Sequence, residues 1–255
     1  MMKLIKRGYM SAVYFFLYFP IAVLIIWSFN ESKYGVHWKG LSLRWYESMI
    51  NNTSLMTAAW NSLVVAVLSA TFAALIGTLA AIAIYRYSFR GKNLLMTLVY
   101  IVMMAPDIVM GISLLVLFMF LHMDTGFTTL LLSHITFNIP FVIITVLSRM
   151  KGFDGNILNA ASDLGANEYQ TLRYVLIPMM MPAIAAGWLL GFTLSMDDVM
   201  ISFFVTGPTF EILPLRIYSM VRLGVKPEVN ALCTVMFTLS LIIVMISQIL
   251  NRERK

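Results

Sequence analysis

Residues 156–178 read NILNAASDLGANEYQTLRYVLIP, a polar interval between long apolar runs. Its residues fall in the order expected of two short helices. Asp154 stands where an N-cap belongs. Ile157, Leu158, Ala161 and Leu164 follow at i, i+1, i+4 and i+7, one apolar helical face. Gly165 occupies the place of a C′ glycine. Asn167 offers a second N-cap, with Glu168 in the first turn, where the helix dipole favours an acid. Tyr169, Leu172, Val175 and Leu176 form a second apolar face, and Pro178 ends that helix or begins the next. The spacing predicts a helix–turn–helix with two exposed apolar stripes. A hairpin lying on the membrane is one reading, but interfacial helices usually carry many basic residues, and 154–178 holds only Arg173. Docking of a soluble partner fits better.

The flanks set the class. The 255-residue chain is 60% hydrophobic and 12% charged, against about a quarter charged in a soluble domain. Six apolar runs are long enough to cross a bilayer: 9–29, 58–84, 94–121, 129–148, 182–206 and 230–250. The third is interrupted at Pro106 and reads as one kinked span, or as a span with a re-entrant piece. The expected fold is an all-α polytopic membrane protein with six transmembrane helices. Ser69, Ala73, Gly77 and Ala81 recur every fourth residue in the second span, a face for close helix packing.

Lys and Arg orient the spans. With the N-terminus cytoplasmic, the inside segments hold Lys3, Lys6, Arg7, Arg86, Arg90, Lys92, Arg149, Lys151, Arg173, Arg252, Arg254 and Lys255, twelve in all. The outside segments hold six: Lys33, Lys39, Arg44, Arg216, Arg222 and Lys226. Both termini therefore read as cytoplasmic, and the net charge of +6 reflects topology, not nucleic-acid binding. The polar interval becomes the longest cytoplasmic loop. The first run follows a basic segment but exceeds 20 residues and lacks an A-x-A-like end, so it reads as a retained anchor.

Chemistry is sparse. Cys233 is the only cysteine, and His37, His122 and His134 show no ligand spacing. No cofactor or metal is expected. Phosphate-binding, dinucleotide, zinc-hydrolase and serine-hydrolase motifs do not occur. The expectation is a transport subunit rather than an enzyme, powered by a partner or by an ion gradient.

The fifth span contains Asp197 and Asp198. A central Asp costs about 2.5–3.5 kcal/mol on insertion scales, so such residues face a cavity or a partner. Neighbouring helical residues point about 100° apart, which lets one line a path while the other caps or pairs. One reading is a cation-attracting constriction near the outer mouth; the other is a helix break or a subunit contact. Asp107, after Pro106, either starts a helix or lines the same path. Tyr18 sits among Tyr14, Phe15, Phe16 and Phe19, as a packing aromatic or a gate. Met196 and Met200 read as adaptable packing. Glu211, Arg216, Arg222, Lys226 and Glu228 form a charged outer loop that reads as a solvated surface.

NAASDLG (159–165) followed by VLIP (175–178) resembles the E-A-A-x3-G-x9-I-x-L-P signature of type I ABC importer permeases. Ala160, Ala161, Gly165 and Pro178 match it; Val175 and Ile177 are aliphatic variants, and Asn159 stands in place of the signature Glu. The resemblance extends over about 58–250 and includes the NSL opening at Asn61–Leu63. It implies an N-terminal helix and external loop over 1–57, a transporter transmembrane domain over 58–250, and a cytoplasmic tail over 251–255. It implies that the loop 152–178 couples to a separate ATPase through Asn159, Ala160, Ala161, Gly165, Ala166, Ile177 and Pro178. It further implies a bacterial inner membrane, a second homologous permease, an ATP-binding subunit dimer and an extracytoplasmic solute-binding protein.

The stretches YRYSFRGK (85–92), PDIVMGISLLVLF (106–118), LSHITFNIPFVIITV (132–146) and GWLLGFTLSMDDVMISFFVTGP (187–208) are similar to the polyamine-carrying branch of that family. Spermidine or putrescine is the implied cargo. Asp197, Asp198, Asp107, Leu194 and Tyr18 become the implied pathway, since carboxylates and aromatics suit cations with methylene spacers. The same machine with another solute, an ion-coupled secondary transporter and an intramembrane enzyme stand as the alternatives.

Overall fold

The structure, a computed structural model, describes residues 2–32, 37–154, 156–222 and 227–252. Lys33, Lys226, Arg254 and Lys255, counted above for topology, lie outside the described residues. Apart from one isolated bridge between Asn30 and Leu41, every regular element among the described residues is helical. In chain order they are α1 (Met2–Ser28), α2 (Arg44–Asn51), α3 (Thr53–Arg86), α4 (Lys92–Met104), α5 (Asp107–Phe120), α6 (Phe127–Met150), α7 (Asn156–Asp163) and α8 (Glu168–Gln170). A π turn over Thr171–Leu176 leads into α9 (Ile177–Asp197), followed by α10 (Met200–Val205), α11 (Leu213–Arg222) and α12 (Pro227–Arg252). This is the all-α fold the composition called for.

The chain divides into two compact units. One comprises 1–57 and 216–255, the other 58–215. In the first, α1 and α2 pack on α12, which carries the sixth apolar run. Trp45 and Met49 are buried on the inner face of α2, and the Trp45 indole N–H donates to the Asn30 carbonyl at 2.8 Å. Ser48 donates to Glu228 of α12. Tyr14, Phe15, Phe16, Tyr18 and Phe19 remain exposed along α1. Apolar side chains facing outward suit a helix surrounded by lipid or by another chain.

In the second unit α3, α6 and α9 form the core. Small residues set their separation, because apolar side chains gain little from leaving lipid for a helix interface. Ser69, Ala73 and Ala81 are fully buried. A Cβ on Gly77 would lie 2.8 Å from Val142 of α6. On α9, Ala183, Gly187, Gly191 and Ser195 continue the same device, with Gly187 against Val142 and Gly191 against Asn138. Gly77→Val should force α3 and α6 apart at a cost of about 1–3 kcal/mol, as overpacking does. Lower thermal stability of the purified assembly would register it, and unchanged stability would contradict this packing.

Among the described residues, four helices are long and apolar enough to cross a bilayer: Lys6–Ser28, Thr53–Arg86, Phe127–Met150 and Glu168–Asp197. Two expectations need correction. The run interrupted at Pro106 bends far more sharply than a kink, because α4 and α5 meet at 113°, as in a broken span or a re-entrant loop. Ala105 and Pro106 are both extended, with ψ of 137° and 134°, as the steric restriction before a proline favours. The fifth run does not continue to residue 206 as one helix. It stops at Asp197, Asp198 is extended with ψ 124°, and α10 restarts the helix.

Candidate functional site

The polar interval folds largely as its residues dictate. The Asp154 carboxylate accepts from the Asn156 N–H at 3.0 Å. α7 ends in a paired closure: Gly165 N–H reaches Ser162 O at 2.9 Å and Ala166 N–H reaches Ala161 O at 3.0 Å. That closure requires Gly165 at φ +80°, a conformation glycine adopts at little cost. Asn167 and Gln170 form a reciprocal capping box at 2.8 and 2.9 Å.

The second helix is not separate. α8, the π turn and α9 run on as one helical stretch from Glu168 to Asp197, so Pro178 neither ends nor starts a helix. Proline lacks an N–H and crowds the carbonyl four residues back. The widened π turn, with Ile177 N–H on Leu172 O, absorbs that crowding. The two apolar stripes are also less exposed than expected. Leu158, Leu172 and Leu176 pack with Met150, Phe153 and Met180 in the main core, and Ala161 is buried. The outward surface is carried by Asn159, Ala160, Asp163, Leu164, Gly165 and Tyr169. Leu164 is 89% exposed, a large apolar side chain with no cover from its own chain. Ala166 and Ile177 are half-buried and Pro178 is exposed. The end of α3 holds the loop through Tyr87, whose hydroxyl donates to Glu168 at 3.2 Å, and through the Arg86–Glu168 pair at 3.8 Å. Glu168 is mostly exposed, so this pair fixes geometry more than it stabilises.

The carboxylates gather at the broken end of α9. Asp197 is the last residue of α9 and is exposed; Asp107, the first residue of α5, is exposed as well. The charges of Asp107 and Asp198 both act on Asp197. α5 and α10 are in close contact here, since a Cβ on Gly111 would lie 2.7 Å from Phe204 and 3.2 Å from the Ile201 Cα. Leu194, one turn before the pair, is half-buried. Tyr18 belongs to the other compact unit.

Asp198 differs from its neighbour. Its side chain is only 7% exposed. It accepts from the backbone N–H of Ile201 at 3.2 Å and of Ser202 at 2.8 Å, and from the Ser202 hydroxyl at 2.6 Å. It therefore caps α10 in the manner of an N-cap acid. His134 of α6 lies 3.5 Å away through Nε2. The imidazole also meets Ser202 Oγ at 3.0 Å through Nε2 and Ser195 Oγ at 2.6 Å through Nδ1. Ser69 of α3 donates to Ser195 at 3.2 Å, and the Asn138 amide approaches Ser69 at 3.5 Å. Ser69, His134, Asn138, Ser195 and Ser202 are all buried.

Periodicity and motif reading missed this network. Ser69 registers only as a small residue in a packing stripe, and His134 as one of three scattered histidines. The available signal was position: an ionisable side chain inside an apolar span marks a functional site by default.

A protein-family model for the binding-protein-dependent transport system inner membrane component matches residues 73–254. The spermidine/putrescine transport system permease protein PotC of Escherichia coli K12 is 57% identical over 252 residues, covering 99% of this chain and 96% of that protein. The putrescine transport system permease protein PotI of the same strain is 42% identical, covering 86% and 80%. The fold matches that of a bacterial alginate ABC transporter solved in complex with an alginate pentasaccharide-bound periplasmic protein, with TM-score 0.74 at 17% identity, covering 99% of this chain and 97% of that one. The chain belongs to the family of inner-membrane components of binding-protein-dependent transport systems.

Proposed function

We propose that this chain is one of two homologous permease subunits of an ATP-driven polyamine importer, with spermidine and putrescine as cargo. The near full-length identity to a spermidine/putrescine permease carries the reading. The exposed carboxylates Asp197 and Asp107 supply matching chemistry. Two acids from separate helices suit a flexible chain with a cation at each end, while Leu194 and the nearby Met196 and Met200 suit its methylenes. Asp198 contributes by holding the break open, and Tyr18 of α1 faces outward toward a second subunit.

The remaining parts follow from that role. With α4 and α5 together making one broken crossing and α12 the last, six spans leave both termini cytoplasmic, with residues 152–178 on the cytoplasmic side. An ATP-binding subunit dimer docks on Asn159, Ala160, Ala161, Gly165 and Ala166 around exposed Leu164. Ile177 and Pro178 transmit its movement into α9. A solute-binding protein delivers cargo at the outer face. The chain contributes pathway and coupling, binds no cofactor, and leaves hydrolysis to its partner. ATP binding draws the two coupling loops together and opens the pathway outward; hydrolysis restores the inward-facing state.

Uptake of labelled spermidine and putrescine tests this in cells lacking their own polyamine importers, with the partner subunits co-expressed. Asp197→Asn should lower uptake about tenfold, equivalent to ~1.4 kcal/mol. That lies within the ~4 kcal/mol of a contact between unit charges 4 Å apart at an effective dielectric of 20. Undiminished uptake at equal protein level would remove Asp197 from the pathway. An assembled complex that hydrolyses ATP yet takes up no polyamine would overturn the cargo.

A further inference from the structure

The break between α9 and α10 needs something to hold it. A helix that stops inside an apolar layer leaves its last carbonyls, and the first N–H groups of the next helix, without partners. Asp198 satisfies the N–H groups of α10. A side chain can also tie the two sides together across the gap. His134 does so from a third helix. One ring nitrogen meets Ser195, the last buried residue of α9, and the other meets Ser202 on α10.

Asp198 as a carboxylate only accepts, so the Ser202 hydroxyl spends its proton on Asp198 Oδ2. Ser202 Oγ must then accept from His134, which places a proton on Nε2. Ser195, at Nδ1, closes the other side and is in turn held by Ser69 of α3. The imidazole is 1% exposed, so neither contact has water as a substitute. Rotating this ring would release both sides of the break.

We propose that His134 is a positioning residue: through an Nε2–H bond to Ser202 and an Nδ1 contact to Ser195 it fastens the broken helix and fixes where Asp197 presents its carboxylate. This rests on the reading of Asp197 as a cation contact and assigns no cargo contact to His134 itself. Loss of the ring should let the end of α9 shift, weakening the hold on a cation without altering the ATPase contacts on the far loop.

The test uses the full complex in proteoliposomes. His134→Leu should raise the KM for polyamine about tenfold, the upper end of what losing one hydrogen bond between neutral groups costs, with basal ATP hydrolysis unchanged. His134→Gln, whose amide keeps one donor and one acceptor, should recover most of the affinity. A KM unchanged in His134→Leu while Asp197→Asn loses uptake would overturn the positioning role alone. Undiminished uptake in Asp197→Asn would instead overturn the carboxylate reading beneath it. Should His134→Leu fail to assemble, the native complex still decides. With 15N-histidine labelling and subtraction of the His134→Gln spectrum, a protonated Nε2 supports the assignment, and an imidazole protonated only at Nδ1 refutes it.

Discussion

Gly165→Pro is expected to abolish uptake while leaving the protein in the membrane. The native residue sits at φ +80°, and proline is confined near −65°. Proline also removes the N–H that Gly165 donates to Ser162 O and biases Leu164 away from the helical region. The combined cost is about 3 kcal/mol or more, a factor above about 100 in the population of the native loop. The damage stays local, because Gly165 is exposed and nothing lies within 4 Å of a Cβ placed there. Gly165→Ala isolates conformation from bulk. It costs about 1–2 kcal/mol of left-handed strain and should reduce uptake far less than proline does. Uptake assays paired with quantitation in the membrane fraction separate the outcomes. Normal transport by Gly165→Pro would mean that the loop does not couple the motor to the spans.

The second large effect is expected at Asp198. Asp198→Ala strips acceptors from two backbone N–H groups and one hydroxyl, and leaves His134 Nε2 and Ser202 facing an empty space. Losing the cap costs about 0.5–2 kcal/mol, and each buried donor left unsatisfied adds about 1–3 kcal/mol. A loss of about 2–4 kcal/mol is expected, seen as a lower temperature at which half of the purified complex falls apart. Asp198→Asn keeps one acceptor oxygen and should lose about half as much. Asp197→Asn removes an exposed side chain and should leave stability nearly unchanged while affecting uptake. The two adjacent aspartates thus separate by readout, one structural and one transport. Equal stability losses at both positions would contradict the difference in burial.

Much of this protein was legible in its residues. Long apolar runs with few charges force helices, because backbone groups in lipid must be satisfied within the segment. The caps and closing glycine of 154–170 are local in sequence, so Asp154, Gly165 and Asn167 were readable one by one. The family signature in 159–178 lies within that same short interval. What escaped depended on residues far apart in the chain. Whether Pro106 kinks a span or turns it through 113°, and whether Pro178 breaks a helix or is absorbed by a π turn, depends on neighbouring packing that no local pattern records. The same holds for the stripe residues Leu158 and Leu172, which the core claims, while Leu164 is left outside.

The helical class, the positions of the apolar runs and the caps of the polar loop follow from residue order alone, since each rests on solvation or on contacts within a few residues. The division of labour between the paired aspartates depends instead on packing between helices distant in the chain. Residues 69, 134, 195 and 202 come together because small side chains let α3, α6 and α9 approach closely. That approach buries a histidine beside a helix break, so Asp198 turns inward as a cap and Asp197 is left to face out.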